Sequence, residues 1–585
     1  MIKRFLYRPE AIIGVILLVF AYLFIWSDAD WRHKVISSDG KGYYAYLPAT
    51  ILFQDLSYES NLQAEESNFG EHINYYRLED EGGEYYNKYF PGVALLQLPF
   101  FLIAAALSGV FGFTVDGYSD IFLILVQLSA IFYATLGAFF IKKSLIKLNV
   151  KPRDAILLAG ASVLATNAFY YTVGLPSMSH IYSFAAISFF AWLMLKLKEE
   201  VIFKLLLYAA ITFGIIILIR PTNATVLLFV PVLFGSWNRT KEIFVSLVTT
   251  RNFIPVAIGG GSMFIILVGL WFAQTGSWFI WSYNGEGFYF ANPEFLKVLF
   301  SFRNGLFIWT PLALVALLSG LFILYKNNRF GLLFTLLYFL FNTYIISSWW
   351  TWNYSGGFGH RVYVEHQVIF IILLGMCIAH ASVLFKKMIL VSASVFLLLN
   401  IAQSFQLQKG ILSSNNMSAA SYAYTFMKFD DSYVNSIGAA NDLNPYGKQV
   451  NASFHQCSVG ALEIEFNQDI PFGGEVIIEK PQSAEQKNYL IEVELDKYRT
   501  KDEIFEDVVF IVDGRDETGK TILYQKSPLY EIRNEGLKEW KHLFLRFEIP
   551  NRGIHDYKCY IYNLGGKSFK IKELQYRLLT FDPNL

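Results

Sequence analysis

SSDGKGYYAYLP, residues 37–48, follows the first long apolar run of the chain. It places one carboxylate, Asp39, where the chain is expected to leave a membrane, beside Lys41, Tyr43 and Tyr44, which suit a sugar or a phosphate. A carboxylate next to a bilayer is costly unless it is paired or lines a wet cavity, so the stretch predicts a functional site. The alternative is an ordinary polar loop in which Asp39 caps a helix.

The composition of the chain is that of a membrane protein. Of its 585 residues, 54% are hydrophobic and only 16% are charged, whereas soluble domains carry about 25% charged residues. The 48 basic and 48 acidic residues cancel, so no global positive field points to a nucleic acid partner.

The positions of the basic residues predict the topology. The chain begins MIKRFLYR, and the apolar run 11–26 follows without a small-residue cleavage site, which indicates a retained first helix with a cytoplasmic N-terminus. Residues 27–90 then lie outside. The run 120–141 ends in Lys142-Lys143, which belongs inside. If residues 91–111 also crossed, that cluster would lie outside, so we predict an outer-face juxtamembrane helix pair there, broken at Pro99.

With this assignment the remaining basic clusters fall on one side of the membrane. About eleven apolar runs have the length that a bilayer requires. They lie at residues 11–26, 120–141, 155–172, 181–196, 204–219, 223–236, 253–273, 305–325, 330–347, 364–384 and 388–402.

The character of the chain changes after residue 402. Residues 403–445 are rich in Ser, Asn and Ala and predict a linker with one short helix. Residues 446–585 hold short alternating stretches between turn residues, from ALEIEF to SFKIKELQYRLL, which predict an antiparallel β-sandwich. The topology places this domain outside, where Cys457 and Cys559 could pair. No cysteine spacing resembles a zinc site, and we assign no metal.

The outer loops carry most of the unusual polar and aromatic residues. Arginine suits phosphate because its planar fork donates two hydrogen bonds at once, and tryptophan suits the face of a pyranose. Each candidate also has a structural interpretation: a His at a helix start is more often structural, Arg220-Pro221 marks a helix end, and Trp352 fits an interfacial belt. The candidates from these loops are Lys88, His180, Arg220, Glu286, Trp352, His360, Arg361 and Glu365.

Three motifs together resemble a known family. SSDGKGYYAYLP after the first run, KYFPGVALLQLPF before the second, and WWTWNYSGGFGHR late in the apolar region are similar to the GT-C superfamily. Its members are integral-membrane glycosyltransferases that take a sugar from a polyprenyl-phosphate donor. The chain most resembles the bacterial branch related to protein O-mannosyltransferases and lipid A aminoarabinose transferases, over residues of about 10–400. The resemblance implies a transmembrane catalytic domain over residues 1–402, with the outer loop 27–118.

The resemblance also implies roles for particular residues. Asp39 matches the general base of the family, which takes the proton of the acceptor hydroxyl so that the reaction inverts the anomeric centre. Arg361 matches the residue that steadies the departing phosphate, and Lys88 and Arg220 are expected near the same phosphate. The sugar and acceptor pocket is expected to include Lys41, Tyr43, Tyr44, His180, Glu286, Trp352 and His360.

The chain departs from the family pattern at two places. Many relatives have an acidic residue directly after the first Asp, but here it is Gly40. We therefore expect an enzyme that needs no metal and no other cofactor. The loop VGLPSMSH lacks the acidic residue that some members have there, and His180 is the candidate to replace it.

Three other functions fit the sequence less well. An O-antigen polymerase or ligase also works on lipid-linked glycans, but its largest outer loop usually comes late in the membrane domain. A lipid-glycan transporter would have ionisable residues at mid-membrane and two related halves, and a scaffold would leave Asp39 and Arg361 without a role. We expect a bacterial inner membrane enzyme with its sandwich outside, and a lipid, glycan or protein acceptor. The sandwich resembles carbohydrate-binding modules, and we expect it to have an accessory role.

Overall fold

The structure is a computed structural model in which the chain forms two compact units. It describes residues 9–70, 75–80, 82–283, 286–354, 356–414, 417, 419–430, 455–458, 463–479, 488–499, 508–529, 540–549, 554–563 and 566–581. The first unit holds residues 1–300, 305–354 and 358–404, and the second holds residues 301–304, 355–357 and 405–585.

In its described residues the first unit is helical, apart from one short hairpin. Its helices are α1 (Pro9–Ala21), α2 (Trp31–Val35), α3 (Gly40–Leu47), α4 (Glu59–Phe69), α5 (Gly92–Phe111), α6 (Asp120–Lys147), α7 (Pro152–Leu164), α8 (Ala168–Val173), α9 (Ser179–Leu197), α10 (Phe203–Ile219), α11 (Val230–Phe234), α12 (Trp237–Leu247), α13 (Thr250–Thr275), α14 (Phe295–Phe300), α15 (Leu306–Trp309), α16 (Pro311–Asn327), α17 (Arg329–Ser348), α18 (Gln367–His380) and α19 (Val383–Gln408). Segments Tyr22–Trp26 and Pro48–Phe53 are π-helical, and Pro221–Phe229 and Arg361–Tyr363 are 3₁₀ turns. The hairpin pairs β1 (Arg77–Glu79) with β2 (Tyr85–Asn87).

The apolar helices make this a multi-pass membrane protein. Among the described residues, six helices are long and apolar enough to cross a bilayer, namely α5, α6, α9, α13, α17 and α19. Five shorter apolar segments accompany them, at residues 10–26, 203–219, 221–234, 311–327 and 367–380. The predicted polytopic helical class is confirmed. The predicted run 155–172 is not one helix, because the chain turns at residues 165–167 between α7 and α8.

The prediction of a helix pair broken at Pro99 is wrong. α5 continues through Pro99 as one helix of 20 residues, because a proline removes only one backbone hydrogen bond and neighbouring packing can absorb the kink. The two flanks of α5 are both bound to α3: Tyr46 Oη donates to the Tyr89 carbonyl at 2.6 Å, and Tyr44 Oη donates to the Gly117 carbonyl at 2.5 Å. Both flanks therefore lie at the same end of the bundle. This favours the prediction that α5 does not cross, although its length and hydropathy would allow a crossing.

The second unit contains two antiparallel sheets, which pack face to face as a sandwich. The strands are β3 (His455–Ser458), β4 (Ile464–Phe466), β5 (Phe472–Glu479), β6 (Asn488–Arg499), β7 (Val508–Arg515), β8 (Thr521–Pro528), β9 (Trp540–Ile549), β10 (Asp556–Asn563) and β11 (Phe569–Phe581). A short helix, α20 (Ala419–Thr425), precedes them. The four-stranded sheet has the order β5-β10-β7-β8, and the five-stranded sheet has the order β3-β11-β6-β9, with β4 also paired to β11.

Alternation along the strands builds the core of the sandwich. On β10 the side chains of Tyr557, Cys559 and Ile561 are buried, and the residues between them face outward. Strands β4–β11 coincide with the eight alternating stretches of the sequence, whereas the short strand β3 was not predicted. Cys457 lies on β3 and Cys559 on β10, in different sheets. The side chain of Cys457 and residues 431–445 of the predicted linker lie outside the described residues.

Candidate active site

Asp39 stands directly before α3, at the position of an N-cap, but its side chain faces elsewhere. Within the described part of the chain it makes no capping hydrogen bond to the helix. One carboxylate oxygen, Oδ2, lies 3.1 Å from Nη1 of Arg361, and the other, Oδ1, accepts a hydrogen bond of 2.9 Å from the Tyr89 hydroxyl. The alternative of a simple helix cap is therefore not what the structure shows.

Two glycines allow α3 to lie close to its neighbours. A Cβ on Gly40 would stand 1.9 Å from Oγ of Ser177, and one on Gly42 would stand 2.2 Å from the ring of Tyr89. Real Cβ atoms do not approach other atoms so closely. The glycines of the SSDGKGYY stretch thus fit the helix against the residues that surround Asp39.

We expect Gly42→Ala to lower the midpoint of thermal unfolding, because the new methyl group overlaps the Tyr89 ring and overpacking costs about 1–3 kcal/mol. Gly109→Ala is the matched control, since Gly109 lies in α5 with open space where its Cβ would be. The measurement is thermal unfolding of both purified variants in detergent. A Gly42→Ala protein as stable as the Gly109→Ala protein would contradict the close contact.

Three cations gather around Asp39, and each is paired with one carboxylate. Arg361 lies beside Asp39, as described. Arg220, at the end of α10, has its Nε 3.6 Å from Oε1 of Glu365. Lys88, shortly before α5, has its Nζ 2.5 Å from Oε1 of Glu286. We call these six residues the paired-charge cluster: Asp39, Lys88, Arg220, Glu286, Arg361 and Glu365.

The charges of the cluster keep Asp39 ionised. Burial alone would raise the pKa of its carboxyl group, but the charge of Arg361, the hydrogen bond from Tyr89 and the charges of Lys88 and Arg220 together lower the pKa below its ordinary value. The carboxylate is therefore available as a proton acceptor at neutral pH.

Glu286 is held in place by the segment that follows it. The backbone N–H of Trp350 donates to the Gly287 carbonyl at 3.0 Å, and that of Tyr289 donates to the Ser348 carbonyl at 2.6 Å. These bonds fasten the residues after α13 to the end of α17. The ion pair of Glu286 with Lys88 therefore connects this anchored loop to the outer loop that carries Asp39.

Tyrosine rings line the cluster. The ring of Tyr89 lies 4.7 Å from that of Tyr43 and 6.3 Å from that of Tyr283, measured between centroids. Burial is the main cause that raises the pKa of all three hydroxyl groups, so each stays protonated. The single O–H of Tyr89 is donated to Asp39, whereas neutral hydroxyl groups such as those of Tyr43 and Tyr283 suit the oxygens of a sugar or a phosphate.

The structure brings together several of the residues predicted for the site. Asp39, Arg361, Lys88 and Arg220 form one cluster, with Glu286 paired to Lys88 and Tyr43 beside Tyr89. His180 touches it through Glu365, since its Nδ1 lies 3.0 Å from Oε2 of that residue.

Other predicted pocket residues are engaged elsewhere. Lys41 forms a buried ion pair with Glu65, with 3.0 Å between Nζ and Oε2, and Tyr44 is buried against Phe101 with its hydroxyl on the Gly117 carbonyl. His360 Nε2 lies 3.1 Å from the carbonyl oxygen of Trp352, and both side chains are buried. Burial lowers the pKa of His360 to about 3, so it stays neutral. The side chains of Lys41, Tyr44 and His360 are therefore engaged by other groups of the protein, and that of Trp352 is buried.

Two residues of the site were not predicted. Tyr89 donates a hydrogen bond to Asp39, yet in the sequence nothing distinguishes it from the many other tyrosines of the outer loop. Tyr283 lies in the aromatic loop after α13 and offers no distinguishing spacing. Among the described residues no group of three or more His, Cys, Asp or Glu side chains is placed to hold a metal ion. Metal independence remains a prediction.

No protein-family model matches the chain, and no curated protein matches it. Among solved structures, the chain is similar to arabinosyltransferase EmbB from Mycobacterium smegmatis, with 12% identity, a TM-score of 0.34, and coverage of 98% of this chain and 67% of that one. It is also similar to the oligosaccharyltransferase AglB from Archaeoglobus fulgidus in complex with an inhibitory peptide and a dolichol-phosphate, with 11% identity and a TM-score of 0.37. That match covers 72% of this chain and 54% of AglB, so the chain spans about half the length of AglB.

At these identities and TM-scores the similarity is distant, and it assigns no role to any residue. The resemblance to GT-C membrane glycosyltransferases therefore remains an interpretation of the sequence motifs.

Proposed function

We propose that the chain is a glycosyltransferase that moves a sugar from a polyprenyl-phosphate donor to the hydroxyl group of an acceptor. The observation that carries the proposal is the position of Asp39, held between Arg361 and Tyr89 and accompanied by Lys88 and Arg220. One ionised carboxylate among three cations provides a base and an anion clamp in the same place. The reaction would take place at the outer face of a bacterial inner membrane.

The carboxylate of Asp39 acts as the general base. It accepts the proton of the acceptor hydroxyl while that oxygen forms a bond to the anomeric carbon. The bond from the anomeric carbon to the phosphate oxygen breaks on the opposite side, which inverts the configuration. Each carboxylate oxygen has two lone pairs, so Asp39 can accept this proton while it keeps its contacts to Arg361 and Tyr89.

The cations of the cluster stabilise the leaving group. The departing polyprenyl phosphate gains negative charge as its bond to the sugar breaks. Charge-assisted hydrogen bonds from guanidinium and ammonium groups are about twice as strong as neutral ones, and donors that are already in place cost no reorganisation. Arg361, Arg220 and Lys88 supply these donors, and Tyr43 and Glu286 line the sugar and acceptor side. No cofactor enters this mechanism, and the acceptor can be a lipid, a glycan or a protein.

The test is sugar transfer in membranes. Bacterial inner membrane vesicles with and without the expressed chain are supplied with a radiolabelled polyprenyl-phosphate sugar, and the release of free polyprenyl phosphate is followed with the fate of the label. We expect chain-dependent release, with the label moved to a larger product. If donor consumption is the same with and without the chain across several sugars, the proposal is wrong.

The pH dependence of turnover should reflect the lowered pKa of Asp39. A lowered pKa keeps the carboxylate in its basic form as the pH falls, so we expect no loss of kcat/KM from this group between about pH 8 and about pH 5. Tyr89→Phe removes a hydrogen bond that stabilises the anion, so the pKa of Asp39 rises and turnover should begin to fall at a higher pH. The measurement is the pH profile of kcat/KM for both proteins, and identical acid limbs would contradict the role of Tyr89.

A further inference from the structure

Glu365 is a buried carboxylate that joins two basic side chains from different elements. It follows Arg361 by four positions and is fully buried. Its Oε2 lies 3.0 Å from Nδ1 of His180, at the start of α9, and its Oε1 lies 3.6 Å from Nε of Arg220, at the end of α10. The outer ends of α9 and α10 and the turn at residues 361–363 therefore meet at one carboxylate.

The charge of Glu365 is compensated by Arg220, and His180 adds a hydrogen bond. Burial would raise the pKa of the Glu365 carboxyl group, but His180 and Arg220 lower it. Because His180 is fully buried, its ring is neutral. Because an ionised carboxylate only accepts hydrogen bonds, the proton of His180 must be on Nδ1. A buried ion pair of this kind is strongly disturbed when one partner is removed, since the other charge is left uncompensated.

Arg220 is fixed from two sides and still has hydrogen-bond donors available. Its Nε side faces Glu365, and one terminal nitrogen, Nη2, donates to the hydroxyl of Ser179 at 3.3 Å. A guanidinium group has five N–H donors in a rigid plane. Contacts that hold one edge of this plane therefore also fix the directions of the remaining N–H groups. Arg220 is close enough to Asp39 to lower the pKa of that carboxyl group.

We propose that Glu365 is a positioning residue that orients Arg220 toward the phosphate of the donor. The proposal rests on the function proposed above. Glu365 has no exposed surface with which to touch the donor, and it acts through the guanidinium plane of Arg220. His180 completes the arrangement, because it occupies the second oxygen of Glu365 and leaves the first oxygen for Arg220.

The test is a double-mutant cycle read as ligand binding. The wild type, Glu365→Gln, Arg220→Ala and the double variant are titrated with farnesyl phosphate, a short polyprenyl phosphate without sugar, by isothermal titration calorimetry in detergent. Each single variant is expected to bind about tenfold more weakly. Arg220→Ala loses a charge-assisted hydrogen bond to the phosphate, and in Glu365→Gln the ion pair that orients the Arg220 guanidinium is lost. The double variant should bind no more weakly than either single variant, because residues that act as one unit are not additive.

Two controls separate positioning from general loss of structure. Asp154→Asn removes another buried carboxylate, which pairs with Lys386 away from the cluster, and it should bind farnesyl phosphate as the wild type does. In the transfer assay, Glu365→Gln should lower kcat/KM for the donor, and it should cause no further loss in the Arg220→Ala protein, because it acts through Arg220. Thermal unfolding of all variants shows whether each is folded at the temperature of the titration.

The possible results are distinct. If the wild type binds farnesyl phosphate and the effects of the two single changes add, Glu365 acts independently of Arg220 and the positioning proposal is wrong. If Glu365→Gln binds as tightly as the wild type, the proposal is also wrong, whereas the proposed function stands. If the wild type itself does not bind, the donor class is wrong, and the positioning proposal fails with it.

Discussion

Asp39→Asn is expected to remove nearly all sugar transfer while the protein stays folded. The amide has the shape of the carboxylate but no basicity, and loss of a general base lowers turnover by about a hundredfold to ten-thousandfold. It also leaves Arg361 without the carboxylate that lies 3.1 Å away. The measurement is turnover of a labelled polyprenyl-phosphate sugar in vesicles with matched protein levels.

Glu59→Gln is the matched control for this experiment. Glu59 lies in the same outer loop, is half-exposed and pairs with Arg77, and surface pairs contribute about 0–1 kcal/mol. We expect this variant to turn over donor at the wild-type rate. If Asp39→Asn is as active as Glu59→Gln, Asp39 is not the base, and the proposed function would then rest on the topology and the cations alone.

Arg361→Ala should be the second most damaging change. It removes the cation that lies 3.1 Å from Asp39, and loss of one preorganised donor to a developing negative charge costs about a hundredfold to a thousandfold in kcat. Arg361→Lys should recover only part of this loss, because an ammonium group keeps the charge but not the planar fork. The measurement is kcat and KM for the donor in all three proteins.

A comparison with Arg239→Ala shows whether the loss is specific. Arg239 lies on α12, where it pairs with Glu242 and donates to the Lys198 carbonyl, and we expect its replacement to leave turnover unchanged. Equal activity of Arg361→Ala and Arg239→Ala would show that Arg361 does not contact the leaving group. Full recovery by Arg361→Lys would show that charge alone is sufficient.

The sequence pattern predicts which segments form helices and strands better than it predicts where a helix is interrupted. Long apolar runs and period-two alternation are local patterns that can be read from consecutive residues, so the membrane helices and strands β4–β11 could be predicted. The continuation of α5 through Pro99 could not, because a proline in a helix is tolerated only when the surrounding packing allows it. The break between α7 and α8 lies within an apolar run that has no glycine or proline at the turn.

The residues of the site that lie in recognisable motifs could be predicted from the sequence. Asp39 and Arg361 were linked by the resemblance of their motifs to one family, and the structure places them 3.1 Å apart. The partner of Lys41 was not predictable, because Glu65 lies in a polar helix that resembles a solvated surface. Glu365 contacts His180 and Arg220, which lie far from it in the sequence. No local sequence pattern predicts contacts between such distant residues.

The pairing of each cation with one carboxylate has a consequence for selectivity. The three cations and three carboxylates of the paired-charge cluster sum to zero formal charge, so they produce little field at long range, and soluble anions are not concentrated near the site. Strong interactions arise only at contact, after water has been displaced. A ligand delivered along the membrane by its own lipid chain does not need that attraction. If the proposed function is correct, a site with balanced charges would therefore bind free phosphate weakly and still bind a phosphate that a lipid chain delivers to it.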